Sequence, residues 1–321
     1  MGGIQLRFWT YRLLMAVLTL ALLSLVLFLA TNALPGDVGR RILGGTANDV
    51  AVAALNRELG TDRPVMQQYA EWLTGILRGD LGRSYSLKQP VWQILSPALL
   101  NSAKLTVLVI AMLLPLAIGG GIWAALKRGT ATDQVITLGA ASATTIPDFV
   151  TGITLLIIFS LGLGWFPITG TAPRGAGLLQ QIYHLFLPAM CMVIGLGGYV
   201  LRMSRAGLIL ALESDYARTA HLKGLPPYLV LARHVLRNGL IPTIAVVATQ
   251  IGYIFGGLVV IEVLFNYNGV GKALYIAATQ KDFPVLQGGV LIVGAVFFLV
   301  TILGDLMQFA LDPRLRSGGA R

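Results

Sequence analysis

Six long apolar runs alternate with polar stretches along the chain, at residues 13–34, 103–126, 135–163, 185–201, 240–263 and 285–311. An α-helix needs roughly 20 apolar residues to cross about 30 Å of hydrocarbon, and these runs are of that order. The pattern predicts an all-α membrane protein with about six transmembrane helices. Pro35, Gly36 and Asp37 close the first run. Between the first two runs lies a sizeable polar region, residues 35–102. It holds short amphipathic pieces at 50–59 and 64–77, and Gln89, Pro90 and Val91 open another. The predicted organisation is therefore an N-terminus and first helix over 1–34, an extracytoplasmic region over 35–102, and a five-helix core over 103–311. That core carries a cytoplasmic loop at 202–239, and a short cytoplasmic tail follows at 312–321.

Composition agrees with this reading. Charged residues are 12% of the 321 and hydrophobic residues 55%, where a soluble domain carries about a quarter charged. A net charge of +10 would suit nucleic acid only on a basic soluble face, and the apolar runs leave no such domain. The basic residues follow the positive-inside rule instead. Residues 35–102 hold seven basic against six acidic side chains, whereas the loop at 202–239 holds six basic against two acidic. The second loop is therefore read as cytoplasmic, and both termini with it. Arg7 and Arg12 precede a first run longer than the ~7–15 residues of a cleaved leader, with no small-residue cleavage site after it. A retained first helix is expected.

Catalytic chemistry finds no home in the pattern. His184, His221 and His234 do not fall at metal-ligand spacing with each other or with the single Cys191. Gly269-Val270-Gly271-Lys272 lacks the first glycine and the Ser/Thr of a phosphate-binding loop and reads as a turn. No enzyme activity, metal or cofactor is expected in this chain. Among intramembrane ionisable groups, Asp148 falls near the middle of the third run, while Glu262 and Asp305 lie near span ends, where a structural role is expected. A carboxylate at bilayer depth faces a cavity or a partner. Two readings of Asp148 stand: it lines a pathway, or it caps backbone groups freed by Pro147. Paired intramembrane charges of the kind that power a coupled carrier are not evident, so the energy source is expected outside the chain. Glycines and prolines within the runs, among them Gly119 to Gly121, Pro147, Gly195, Gly197, Gly198 and Pro242, suit close helix packing and kinks.

The inner loop holds the most ordered polar pattern. From Glu213 to Pro227 it reads as a short helix with Ser214 or Asp215 as its N-terminal cap, Gly224 as its stop and Pro226 as a bar to continuation. A second helical piece, 228–237, leads back to the membrane. Small side chains at Ala217, Thr219 and Ala220 are expected to leave room for a protein groove.

This loop resembles that of permease subunits of bacterial ATP-binding cassette importers, in the dipeptide, oligopeptide and nickel branch. Asp215, Tyr216, Arg218, Thr219, Ala220, Lys223, Gly224 and Leu225 match the branch's Asp-Tyr-x-Arg-Thr-Ala-x-x-Lys-Gly-Leu pattern. Arg218 departs from the Glu-Ala-Ala-x-x-x-Gly form of the wider family. Matching stretches recur in order along nearly the whole chain: Gly79 to Ser84, Leu163 to Gly170, Ile261 to Phe265, Lys281 to Val285 and Leu311 to Arg316. The long outer region resembles the first-encoded permease of the pair. The resemblance implies a second homologous permease, two cytoplasmic ATPase subunits or domains and an extracytoplasmic substrate-binding protein. It also implies import of peptides, with nickel, glutathione, opines or sugars as alternatives, and a coupling role for residues 215–224. From the residues alone, an ATP-independent carrier or channel stays open.

Overall fold

The computed structural model describes residues 2–33, 38–44 and 46–311. The expected helix stop at 35–37 and the tail at 312–321 lie outside them. The described residues are helical apart from connecting turns and one isolated bridge between Arg83 and Pro90. They form two compact units, 1–100 with 273–298 and 101–272 with 299–321.

In the first unit, α1 (Gly2–Ala33) is the first apolar helix. Three short helices follow it: α2 (Val38–Leu43), α3 (Asp49–Leu59) and α4 (Val65–Leu77). Asn48 caps α3 by accepting the N–H of Val50, and Gly60 ends it with φ 69°. Phe28 of α1 meets Tyr69 and Trp72 of α4 at ring separations of 5.5 and 5.3 Å. Tyr69 also shares a 2.8 Å hydroxyl bond with Ser24. The C-terminal half of α1 thus carries α4 through aromatic packing.

A buried carboxylate fixes the 83–90 hairpin in the same unit. Asp282 accepts the N–H of Tyr85 at 3.0 Å, the N–H of Ser86 at 3.2 Å, Ser86 Oγ at 2.6 Å and the hydroxyl of Ser84. Removing it leaves these donors unpaired, the buried Ser84 hydroxyl among them. Asp282→Ala is expected to lower stability by about 3 kcal/mol and to open the hairpin first. Hydrogen exchange at residues 84–88 in detergent checks this, and unchanged protection there contradicts it.

The second unit takes up most of α5 (Val91–Leu126), α6 (Ala131–Ala143), α7 (Asp148–Leu155) with its π-helical continuation Leu156–Gly162, and α8 (Leu178–Leu212). After these come α9 (Asp215–Leu222), α10 (Pro227–Val230), a π-helical turn Leu231–Val235, α11 (Leu236–Gly239) and α12 (Ile241–Leu264). α13 (Val270–Thr279) and α14 (Phe283–Leu311) follow, most of α13 and the first part of α14 belonging to the first unit. The core of the second unit is built from Leu105, Val109 and Leu113 of α5, Ala189, Met192 and Val200 of α8, and Ile254, Leu258 and Ile261 of α12.

Among the described residues four helices are long and apolar enough to cross a membrane, and two bent helix pairs raise the number to six if each pair is one crossing. Two departures from the hydropathy reading have physical causes. α5 begins at Val91 and α8 runs from Leu178 to Leu212, well beyond the runs at 103–126 and 185–201. At 1.5 Å per residue, the 36 residues of α5 extend roughly 54 Å. An apolar window ends where polar side chains begin, but the helix does not. The third run is also not one straight helix: α6 and α7 meet at a 105° bend. Pro147 lacks an N–H and disfavours helical geometry at Ile146, so α6 stops and α7 starts afresh with Pro147 at its cap.

Candidate functional site

α9 stands between two stops that the backbone makes explicit. Ser214 Oγ accepts the N–H of Ala217 at 3.4 Å and donates to Ala211 O at 2.6 Å. At the far end Gly224, at φ 76°, donates to His221 O (2.9 Å), and Leu225 N–H reaches Ala220 O at 3.3 Å. This pair of bonds is the Schellman closure, which needs a residue tolerant of positive φ. The two candidate caps are thereby separated: Ser214 caps, while Asp215 is the first helical residue, exposed and near the positive end of the helix dipole.

The faces of α9 differ from the expected arrangement. Ala217 and Ala220, 0% and 4% exposed, close onto Leu208, Ala211, Val230 and Val235 of the same chain. They do not make room for a partner; they seat α9 on α8. The outward face carries Asp215, Tyr216, Arg218, Thr219 and Lys223. Beside them stand apolar side chains that hydropathy did not single out, Leu222 at 81% and Tyr228 at 69% exposure. Gly224 is exposed at the end of this face. A short helix braced from within thus turns apolar, cationic and aromatic groups outward.

Asp148 lies at the α6–α7 break and not in the middle of a helix. The N-cap of α7 is Pro147, whose side chain bonds none of the first-turn amides. The backbone oxygen of Asp148 accepts Cys191 Sγ at 3.1 Å. Its carboxylate lies against two glycines: a Cβ at Gly195 of α8 would fall 2.4 Å from Oδ1, and one at Gly257 of α12 would fall 4.0 Å from Oδ2. Among the described residues no donor is recorded on this carboxylate, which is half-buried.

Glu262 is a centre of order whose partners sequence reasoning did not foresee. It is fully buried and accepts Ser102 Oγ at 2.5 Å and the N–H of Lys272 at 3.0 Å. Ser102 Oγ in turn accepts Val270 N–H at 2.8 Å. The segment read as a turn, Gly269 to Lys272, therefore opens α13, and its amides are taken up by this network. A Cβ at Gly269 would fall 2.0 Å from Glu262 Oε1, so only glycine fits. Lys272 Nζ is held by Asn268 Oδ1 at 2.9 Å and by Asn266. Nearby Tyr267 donates to Asn101 O at 2.8 Å, and burial, reinforced by the Glu262 charge, pushes its phenol well above the ordinary range. The signal available in sequence was a glutamate inside an apolar run followed by Gly-x-Gly.

Metal-ligating clusters of three or more His, Cys, Asp or Glu are absent among the described residues. Long apolar helices, bent helix pairs and an exposed helix on a basic loop together mark an all-α membrane protein. The chain belongs to the family described as binding-protein-dependent transport system inner membrane component, whose model matches residues 117–317, while the corresponding N-terminal model matches 5–106. It is 33% identical over 312 residues to the glutathione transport system permease protein GsiC of Pectobacterium atrosepticum, covering 97% of this chain and 99% of that one. It is 32% identical over 307 residues to GsiC of Salmonella typhi, covering 95% and 97%. A protein of Sinorhizobium fredii named "Probable peptide ABC transporter permease protein y4tP" shares 30% over 305 residues, again 95% and 97%. The chain is thus a permease component of an ABC importer, and its family places it in the inner membrane.

Proposed function

We propose that this chain forms half of the translocation pathway of an ATP-driven importer for short peptides, with α9 as the element that docks on a cytoplasmic ATPase. The observation that carries this reading is α9 itself: its inner face is fixed by Ala217 and Ala220, and Tyr216, Arg218, Thr219, Leu222 and Lys223 are left for a partner. The reading adds a second homologous permease, two ATPase subunits or domains and an extracytoplasmic binding protein. Both termini and the 202–239 loop lie in the cytoplasm and residues 35–102 outside, in keeping with the positive-inside rule. ATP-driven closure of the ATPase pair displaces α9 and rocks the spans between inward- and outward-facing forms as rigid bodies.

The peptide assignment draws on the relatives named for peptide and glutathione transport. Glutathione, itself a tripeptide, is the second reading that the GsiC relatives favour. Co-purification of an ATPase subunit with this chain, and ATP-dependent peptide uptake that vanadate blocks, test the reading. Uptake that persists in the absence of any ATPase subunit contradicts it.

Asp148 is assigned to the pathway as the group that meets a peptide's ammonium, on the ground that its half-buried carboxylate lies against Gly195 of α8 and Gly257 of α12 with no donor on it among the described residues. Asp148→Ala is expected to lower uptake per molecule about tenfold with membrane abundance unchanged, the equivalent of losing ~1.4 kcal/mol of recognition. Quantitative immunoblotting beside uptake separates the alternatives. Reduced abundance with normal uptake per molecule supports a structural role instead.

A further inference from the structure

The inner ends of α5, α6 and α8 are joined by charge as well as by packing. Asp133, in the first turn of α6, is 4% exposed. Its carboxylate takes the fork of Arg205 of α8, Nε at 2.5 Å and Nη2 at 2.6 Å. It also accepts the Gly129 N–H at 3.0 Å and Thr137 Oγ1 at 3.3 Å. One turn before α6, Arg128 pairs with Glu213, the residue that ends α8 and precedes the α9 cap Ser214. Backbones touch along the same faces. A Cβ at Gly198 would fall 2.1 Å from Ala140 O, and one at Gly121 would fall 2.9 Å from Leu201 O. A Cβ at Gly207 would fall 2.2 Å from Gly239 O. α9 to α11, the inner half of α8, and α6 are thus locked together, and α6 then ends at the 105° break before Asp148.

Stability alone does not account for this pair, whose arginine side chain is still 25% exposed: partly exposed ion pairs add little, and apolar residues of similar volume commonly serve as well. What a forked arginine–carboxylate pair adds is a fixed angle and register between two elements. We propose that Asp133 and Arg205 are a positioning pair that makes α6 follow α8 when α9 is displaced, the break at 144–147 absorbing the difference and shifting Asp148. The proposal rests on the reading of α9 as the ATPase-docking element.

The test uses the complete importer in proteoliposomes and reads peptide taken up per ATP hydrolysed. The double variant Asp133→Leu/Arg205→Met removes both charges together and leaves none buried alone. It is expected to assemble and hydrolyse ATP as the unaltered importer does, while uptake per ATP falls by about tenfold, within the range by which residues of coupling networks alter coupling. Arg205→Lys keeps the charge and loses the fork, and is expected to lower the same ratio by a smaller factor. A merely structural pair would change abundance and leave the ratio alone. An unchanged ratio in the double variant overturns the proposal, and if that variant does not assemble, an unchanged ratio in Arg205→Lys overturns it. Absence of ATP-dependent uptake by the unaltered importer removes the underlying reading, and the proposal with it.

Discussion

Gly224→Trp is expected to abolish uptake while the chain inserts and accumulates normally. Gly224 holds φ 76°, a conformation that costs an L-residue roughly 1–2 kcal/mol. A Cβ there meets nothing of the chain's own within 4 Å, and Gly224 is exposed, so the substitution is expected to leave the seat of α9 on Ala217 and Ala220 in place. The indole instead projects from the end of the face that carries Leu222 and Lys223 and loosens the Schellman closure beneath it. Co-purification of the ATPase is expected to fall at least about tenfold, corresponding to ~1.4 kcal/mol of docking free energy. Gly224→Ala meets the same backbone strain without the bulk, and its smaller loss separates strain from obstruction. Normal uptake by Gly224→Trp would sink the coupling assignment.

The opposite signature is expected of Glu262→Ala. The carboxylate is fully buried and satisfies Ser102 Oγ and the amide of Lys272, while Ser102 satisfies Val270. Truncation leaves these donors in an apolar cavity and uncaps the first turn of α13, at a cost of about 3–5 kcal/mol. Thermal unfolding in detergent should show a large drop, and membrane abundance should fall several-fold. The molecules that do assemble are expected to transport normally. Glu262→Gln keeps the shape and one acceptor oxygen and should lose much less. A stable Glu262→Ala with poor uptake would move Glu262 from support to function.

These two variants also mark what could be read in the sequence. Hydropathy located α12 to within a residue at each end, because Leu240-Ile241-Pro242 and Phe265-Asn266 bound an apolar stretch abruptly. The stops of α9 were legible because serine before a helix and glycine after it act locally. Which way α9 faces was not. Ala217 and Ala220 suit a partner's groove and the chain's own α8 equally well, and only the tertiary fold decides between them. The bend at Pro147 was visible as a proline, but its 105° angle depends on packing that no window of sequence contains. Glu262 with Ser102, and Asp133 with Arg205, join residues 160 and 72 positions apart. Glu262 looked like a lone charge near a span end until the fold supplied Ser102 as its partner. The extra length of α5 and α8 was hidden for a simpler reason: polar side chains on a helix continuing past an apolar run look like loop to a hydropathy argument.

The most direct measurement of the central claim is peptide uptake by the complete importer, purified through this chain and reconstituted in proteoliposomes with ATP on the ATPase side. The account predicts uptake that requires ATP and the binding protein, stops with vanadate, and is lost in Gly224→Trp while the peptide chain remains in the membrane. Uptake that proceeds without ATP, or that survives in Gly224→Trp at the unaltered rate, would contradict it.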